Sequence, residues 1–156
     1  MSAYGFHMDQ PTYDALNEAL EDEYQARATY RAVIETFGPV RPFINIVDAE
    51  ARHIRALHRV YARHGLTPPP DRWSGQVAAP SSVDAACRAA VRAERENDAM
   101  YARLLPRVQD PEIRAVMQRL REASRERHLP AFERCVARKG RGGGHGRGRG
   151  RCGMGC

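Results

Sequence analysis

The sequence lacks the features that mark membrane-spanning and secreted proteins. Its 156 residues include no uninterrupted apolar run of about 18, the length that a membrane-spanning helix needs. The first ten residues, MSAYGFHMDQ, have neither the basic start nor the apolar stretch of a secretion signal. We therefore expect a cytoplasmic protein with no membrane partner.

Cysteine is also scarce, with four residues in the chain. Cys87 and Cys135 fall within helical patterns, whereas Cys152 and Cys156 lie close to the C-terminus. Without a secretion signal, we expect reduced thiols and no disulfide framework.

Lysine is almost missing, since Lys139 is the one lysine among 25 basic residues. No acidic residue follows Glu133, and the basic residues from position 138 onward account for the whole formal charge of +6. The body of the chain is therefore neutral, and the net charge does not indicate a partner for it.

Four segments have the apolar spacing of amphipathic helices, and no segment alternates as a strand does. They cover about 12–37, 42–64, 82–105 and 111–138. We predict an all-α fold, an antiparallel four-helix bundle over residues 12–138, preceded by an N-terminal arm over 1–11. Residues 139–156 are rich in glycine and arginine, which predicts a disordered tail.

The connections predict how the helices are joined. Short turns link the first helix to the second and the third to the fourth, which favours antiparallel pairs. The proline-rich segment 65–81 could extend over about 50 Å at roughly 3.3 Å per residue, more than the length of a helix. We expect one long crossover, as in ferritin-like folds, with Trp73 as a packing anchor.

Each predicted helix places at least one metal-competent side chain on its apolar stripe. These side chains are Glu23, Glu50, His53, Glu94 and His128. A single acid near such a stripe is commonly a boundary residue that reaches water. Three acids and two imidazoles on facing stripes are better explained by cations between them, because a buried unpaired carboxylate costs several kcal/mol.

The position of His128 along its helix does not match the level of the other four candidate ligands. Folding the helices about their turns places His128 roughly 9 Å from the level of the other four residues, by helical rise. A distorted turn before Pro130 would absorb part of that offset, since an interior proline removes a backbone hydrogen bond.

At these positions the chain resembles the ferritin-like, rubrerythrin-related superfamily of four-helix di-iron carboxylate proteins, and within it a prokaryotic branch of undefined biochemical role. The resemblance covers about residues 16–136 and is carried by ALEDEYQA, IVDAEARHIRAL, VRAEREND and ASRERHLPAF. It implies one Glu from each of two helices and Glu-x-x-His from each of the other two.

The last helix departs from that pattern, because Arg125 stands three residues before His128. Glu126 would replace the expected acid if a bulged turn brought it inward, and we include it among the candidate ligands. Glu122 is at the right depth but on a flank. If neither acid turns inward, the site has five protein ligands, and one metal ion is weakly bound or absent.

The resemblance implies two iron ions, or manganese, and oxidation of iron coupled to reduction of oxygen or peroxide. Glu50 and the acid of the last helix would bridge the ions, with Glu23 and Glu94 as terminal ligands and one histidine on each ion. Tyr101 would donate to a ligand or simply fill the core. Metal ions and oxygen or peroxide are the expected partners, with a homodimer left open.

Two other functions are compatible with the sequence. A noncatalytic bundle could store or sense metal, with His145, Cys152, Met154 and Cys156 in the tail as soft ligands. The arginines of the tail could also bind nucleic acid, but no aromatic residue lies between them to stack on bases, so we do not expect a nucleic-acid partner.

Overall fold

The computed structural model describes residues 8–142, and all regular secondary structure in this range is helical. The main helices are α1 (Gln10–Phe37), α2 (Phe43–Arg63), α3 (Val83–Leu104), α4 (Pro111–Ala123) and α5 (Leu129–Gly142). A π-helical turn, Ser124–His128, joins α4 to α5 without a break, and a short 3-10 turn, Leu105–Arg107, follows α3. Residues 8–142 therefore form four long helices, which confirms the all-α prediction.

Side chains that accept backbone hydrogen bonds fix where the helices begin. Asp9 accepts from the N–H of Thr12 at 2.8 Å, and Ser82 accepts from that of Ala85 at 3.0 Å. Asp110 accepts from Glu112 at 2.8 Å, as the Asp-Pro-Glu sequence at this position indicates. Each such cap contributes about 1 kcal/mol to helix stability.

The apolar core is divided into two clusters, one toward each end of the helices. The larger includes Leu16 and Leu20 of α1 with Leu57 of α2, and the smaller includes Tyr30 of α1 and Phe43 of α2. Between the clusters, every long helix turns buried polar side chains inward. We call this level the polar layer, and its members are Glu23, Glu50, His53, Glu94, Asn97, Ser124 and His128.

The segment between α2 and α3 runs against α1. The hydroxyl of Tyr24 donates to the carbonyl of Pro69 at 2.9 Å, and Arg27 pairs with Asp71 at 2.9 Å. The indole N–H of Trp73 donates to Glu21 at 2.8 Å while its ring packs on the larger apolar cluster. Trp73 is therefore the packing anchor that its position in the linker predicts.

The expectation of reduced thiols is wrong for one pair of cysteines. Cys87 of α3 and Cys135 of α5 form a disulfide, with their Cα atoms 6.1 Å apart. The two residues are 48 positions apart, and helical periodicity alone did not show that their faces meet. Cys152 and Cys156 lie outside the described residues, as do most of the predicted N-terminal arm and Gly/Arg tail.

Within residues 8–142, no helix combines the length and the apolar character that crossing a membrane requires.

Candidate metal centre

Five ionisable side chains meet in the polar layer. Glu23 of α1, Glu50 and His53 of α2, Glu94 of α3 and His128 of the π turn are at most 7% exposed. Since each long helix contributes at least one of them, the group lies at the axis of the fold. These are five of the six candidate ligands that the sequence predicts.

Glu50 lies at the centre of this group. Its Oε2 is 3.2 Å from Nδ1 of His53, and its Oε1 is 3.2 Å from Nδ1 of His128. Two sets of candidate ligands, each with atoms within 4.8 Å of one another, therefore share this carboxylate. Glu23 completes the set with His53, and Glu94 completes the set with His128.

The two imidazole rings lie next to each other. The ring centroids of His53 and His128 are 5.3 Å apart, and the ring planes differ by 16°. Nδ1 of His53 is also 3.3 Å from Glu23, and Nδ1 of His128 is 3.6 Å from Glu94. Each histidine thus faces one carboxylate of its own and shares Glu50 with the other.

Two buried tyrosines orient the outer carboxylates. Tyr101 of α3 donates to Oε1 of Glu23 at 2.8 Å, and Tyr30 of α1 donates to Oε1 of Glu94 at 2.8 Å. From the sequence, Tyr101 was considered as a donor to a ligand, whereas Tyr30 was not among the predicted site residues. The sequence did contain a signal for Tyr30, because in both α1 and α3 a tyrosine follows the candidate glutamate ligand by seven residues.

The π turn brings His128 to the level of the other ligands. The backbone N–H of Leu129 donates to the carbonyl of Ser124, a bond to residue i−5, and Pro130 has no N–H with which to continue the α-helical pattern. The wider turn places both Ser124 and His128 inside. On an ideal helix, His128 would lie roughly 9 Å from the level of the other ligands, and a distorted turn of this kind was expected to reduce that distance.

The same turn leaves Glu126 outside. Its side chain is 64% exposed and lies 3.7 Å from Arg125, and Glu122 is exposed as well. The inward position is taken by Ser124, whose buried hydroxyl has no hydrogen-bond partner in the described part of the chain. Neither Glu122 nor Glu126 therefore contributes a carboxylate to the polar layer.

Burial and mutual contact shift the ionisation of these groups. Burial, with the charge and hydrogen bonding of Glu50, raises the pKa of Glu23 to about 7. Burial opposes protonation of the histidines, but the nearby carboxylates of Glu23 and Glu50 raise the pKa of His53 to about 10. The nearby carboxylates of Glu50 and Glu94 likewise raise the pKa of His128 to about 9. Burial alone would raise the pKa of Glu50, yet its close contacts with Glu23 and both histidines hold that pKa below its usual value.

The polar layer is chemically suited to a cation. Oε2 of Glu50 and Nδ1 of His128 are buried and have no hydrogen-bond partner among the described residues. Leaving such atoms unpaired costs about 1–3 kcal/mol each. A cation between the facing carboxylate and imidazole atoms would supply the missing partner.

A small cavity of about 200 Å³ reaches the layer from the side of α1 and α3, where Glu50 and Glu94 line it. Asp22 and Asn97 also line it and are joined by a hydrogen bond of 2.7 Å from the Asn97 amide. Burial raises the pKa of Asp22 to about 7, although that hydrogen bond favours its charged form. Neither residue was among the site residues predicted from the sequence.

Comparison with known proteins shows a shared fold. No family model and no curated protein matches the sequence. The chain is similar to the crystal structure of the hypothetical protein MJ0754 from Methanococcus jannaschii DSM 2661, with a TM-score of 0.77 and 20% identity over 90% of this chain and 87% of that one. It is also similar to the conserved hypothetical protein rv2844 from Mycobacterium tuberculosis, with a TM-score of 0.67 and 16% identity over 81% of this chain and 91% of that one. These identities support a likeness of fold alone.

Proposed function

We propose that the chain is a ferritin-like metal-binding protein whose polar layer holds two metal ions bridged by Glu50. The observation that carries this proposal is the arrangement of Glu50, whose two oxygens face His53 and His128 separately at 3.2 Å. A carboxylate that is shared in this way is the expected bridge of a two-ion site. In the first set Glu23 would be the terminal ligand, and in the second Glu94.

The proposed helix arrangement is the antiparallel, one-crossover bundle of the ferritin-like and rubrerythrin-related proteins. Contacts between α1 and α2 support it, since Tyr61 donates to Asn17 at 2.6 Å while the rings of Tyr30 and Phe43 are 5.7 Å apart. Later residues of α1 thus meet earlier residues of α2. The linker that Trp73 anchors on α1 supports the long crossover.

Iron or manganese is the metal that these ligands favour. Carboxylate oxygens and imidazole nitrogens suit both ions, whereas the structural sites of zinc commonly use thiolates. Five protein ligands for two ions leave coordination positions open to a small molecule. Because the last helix supplies no sixth ligand at the level of Ser124, one more coordination position is open.

The proposed reaction is oxidation of ferrous iron coupled to reduction of oxygen or peroxide. Two ferrous ions supply the two electrons that, with two protons, reduce one molecule of hydrogen peroxide to two of water. Glu23, Glu50 and Glu94 would hold the ions, while Tyr30 and Tyr101 keep the outer carboxylates in place through hydrogen bonds. A cytoplasmic location and a homodimer remain predictions that accompany this proposal.

The test is the rate of ferrous iron oxidation by hydrogen peroxide in the presence of the anaerobically loaded chain. We expect a faster rate with the unmodified protein than in buffer, and loss of that acceleration in Glu50→Gln. Glu126→Gln is the matched control, because it removes the same charge at the surface and should react as the unmodified protein does. A rate equal to that in buffer would contradict the proposed reaction.

A further inference from the structure

A second and larger cavity opens over the other side of the polar layer. It has a volume of about 670 Å³ and lies between α2 and the run from α4 to α5. His53 and His128 both line it, so the cavity reaches the candidate metal ligands. Its volume is typical of sites for small organic molecules.

The lining of this cavity is strongly basic. Six arginines and no acidic residue contribute to it, and we call these six the arginine rim: Arg41, Arg52, Arg119, Arg127, Arg134 and Arg138. On the opposite side of the layer, the small cavity is lined by Asp22, Glu50, Glu94 and Glu96 and by no arginine. The positive charge is therefore confined to one approach to the layer.

The arginine rim also lacks the carboxylate partners that half of the other arginines up to position 138 have. Seven arginines elsewhere lie within 4.0 Å of an acidic side chain, Arg27 with Asp71 and Arg121 with Asp98 among them. In the described part of the chain, no ion pair involves an arginine of the rim. Six arginines around one cavity, with no acidic residue in its lining, attract an anion and can bind it through paired N–H donors.

The remaining walls of the cavity are apolar. Ile46 and Ala49 of α2 face Leu120 and Ala123 of α4 across it. A bare inorganic ion would leave these side chains uncovered, whereas an organic body would bury them. No Phe, Tyr or Trp lines the cavity, so it offers no platform on which the bases of a nucleic acid could stack.

We propose that this cavity binds an organic anion, a carboxylate or a phosphate monoester, with its charged group on the arginine rim and its apolar body against Ile46 and Leu120. Binding needs only the arginines and the apolar walls, so it holds for the metal-free protein.

The test uses 1-anilinonaphthalene-8-sulfonate, an organic anion with an aromatic body, titrated into the metal-free full-length chain and followed by fluorescence. Octyl phosphate and octanoate should both displace the probe, and neutral octanol should not. Displacement by octanol at the same concentrations would overturn the proposal, because it would show that charge plays no part. Displacement by a single-stranded oligonucleotide but not by octyl phosphate would also overturn it and would assign the arginines to nucleic acid.

Matched variants locate the binding site. The combined variant Arg52→Gln, Arg119→Gln and Arg127→Gln should bind the probe about tenfold more weakly or worse, since it loses several charge-assisted hydrogen bonds. The control, Arg31→Gln with Arg55→Gln and Arg59→Gln, removes the same charge from exposed positions outside the cavity and should bind as the unmodified chain does. Equal weakening in both would contradict the proposal, and so would unchanged binding in the first.

All variants retain the basic residues from position 138 onward, so any contribution of these residues to binding is common to them. Three further measurements complete the test. Circular dichroism checks that each variant is as helical as the unmodified chain, and Arg127→Gln alone should still weaken binding about threefold. Repeating the titration after addition of manganous ion separates the two proposals, because anion binding without metal uptake would refute only the metal centre.

Discussion

Tyr101 of α3 donates a hydrogen bond of 2.8 Å to Oε1 of Glu23 on α1. The reciprocal bond runs from Tyr30 of α1 to Glu94 of α3, also at 2.8 Å. Each of the two helices thus donates a hydrogen bond from its tyrosine to a glutamate of the other helix, and both pairs flank the central Glu50. These two hydrogen bonds hold the carboxylates of Glu23 and Glu94 in the polar layer. Without them, repulsion between the like-charged carboxylates would push these side chains apart.

Removing the Tyr101 hydroxyl should therefore loosen the metal centre. Tyr101→Phe leaves the ring in place and deprives a buried carboxylate of its donor, so we expect metal affinity to fall about tenfold to a hundredfold. The loss in the free energy of unfolding should be about 1–3 kcal/mol. Calorimetric titration with manganous ion and denaturant unfolding measure the two quantities.

Tyr61→Phe is the control for that variant. Tyr61 is also fully buried and donates to Asn17 at 2.6 Å, but it lies outside the polar layer. It should lose stability and keep its metal affinity. An equal fall in affinity for both variants would show that Tyr101 acts through general stability and not through Glu23.

Metal binding should release protons. In the metal-free protein the pKa values of about 10 for His53 and about 9 for His128 keep both imidazoles protonated near neutral pH. A metal ion binds the neutral ring, so binding near pH 7.5 should displace about two protons per chain and tighten as the pH rises. Titration calorimetry in buffers of different ionisation enthalpy counts these protons. A count near zero would mean that the histidines are not ligands.

The metal-free protein should lose stability as the solution becomes alkaline. The folded pKa values of His53 and His128 exceed the ordinary value of 6.5, so their stabilising effect is complete below pH 6.5 and disappears as the pH rises through about 9 and 10. Glu23 acts in the same direction at lower pH, because its pKa of about 7 lies above its ordinary value of 4.5 and its stabilising effect is lost between these two values. Above neutrality we expect a decrease of roughly 1 kcal/mol per pH unit for each histidine that is still protonated.

Denaturant unfolding at several pH values, with and without bound metal, measures this dependence. With metal bound the slope should be smaller or reversed, since the histidines are then already neutral. Stability of the metal-free protein that rises over the same range would contradict the account of the polar layer.

Much of this site follows from helical periodicity. Glu23 and Glu94 stand seven residues from apolar neighbours on each side, and Glu50 and His53 stand three apart on the inner stripe of α2. Such spacing needs only a regular helix to be read correctly, and the structure brings these four residues together. The start of α4 can also be predicted from the sequence, because the Asp110 cap and the first turn depend only on neighbouring residues.

The remainder depends on geometry that a regular helix does not have. The π turn changes which residues face the core. It brings in His128, which an ideal helix misplaced, but it leaves Glu126 exposed, although a bulged turn was the distortion expected to bring Glu126 inward. The Cys87–Cys135 disulfide depends on how two helices meet, which no local pattern records.

Ser124 offers a test of the last helix. Its buried hydroxyl has no partner among the described residues, so Ser124→Ala removes an unsatisfied group. We expect stability of the metal-free protein to stay the same or to rise by up to about 1 kcal/mol, with metal uptake unchanged. Denaturant unfolding and metal analysis check both. A large loss of metal would identify the hydroxyl as a ligand or as an essential donor.

The most direct measurement is the number of iron ions per chain after anaerobic loading with ferrous iron and removal of the excess, determined by elemental analysis. We expect about two per chain for the unmodified protein and for Glu126→Gln, and less than one for Glu50→Gln, because both ions would share that carboxylate. Unmodified protein that retains no iron, or Glu50→Gln that retains as much as the unmodified protein, would contradict the proposed two-ion site.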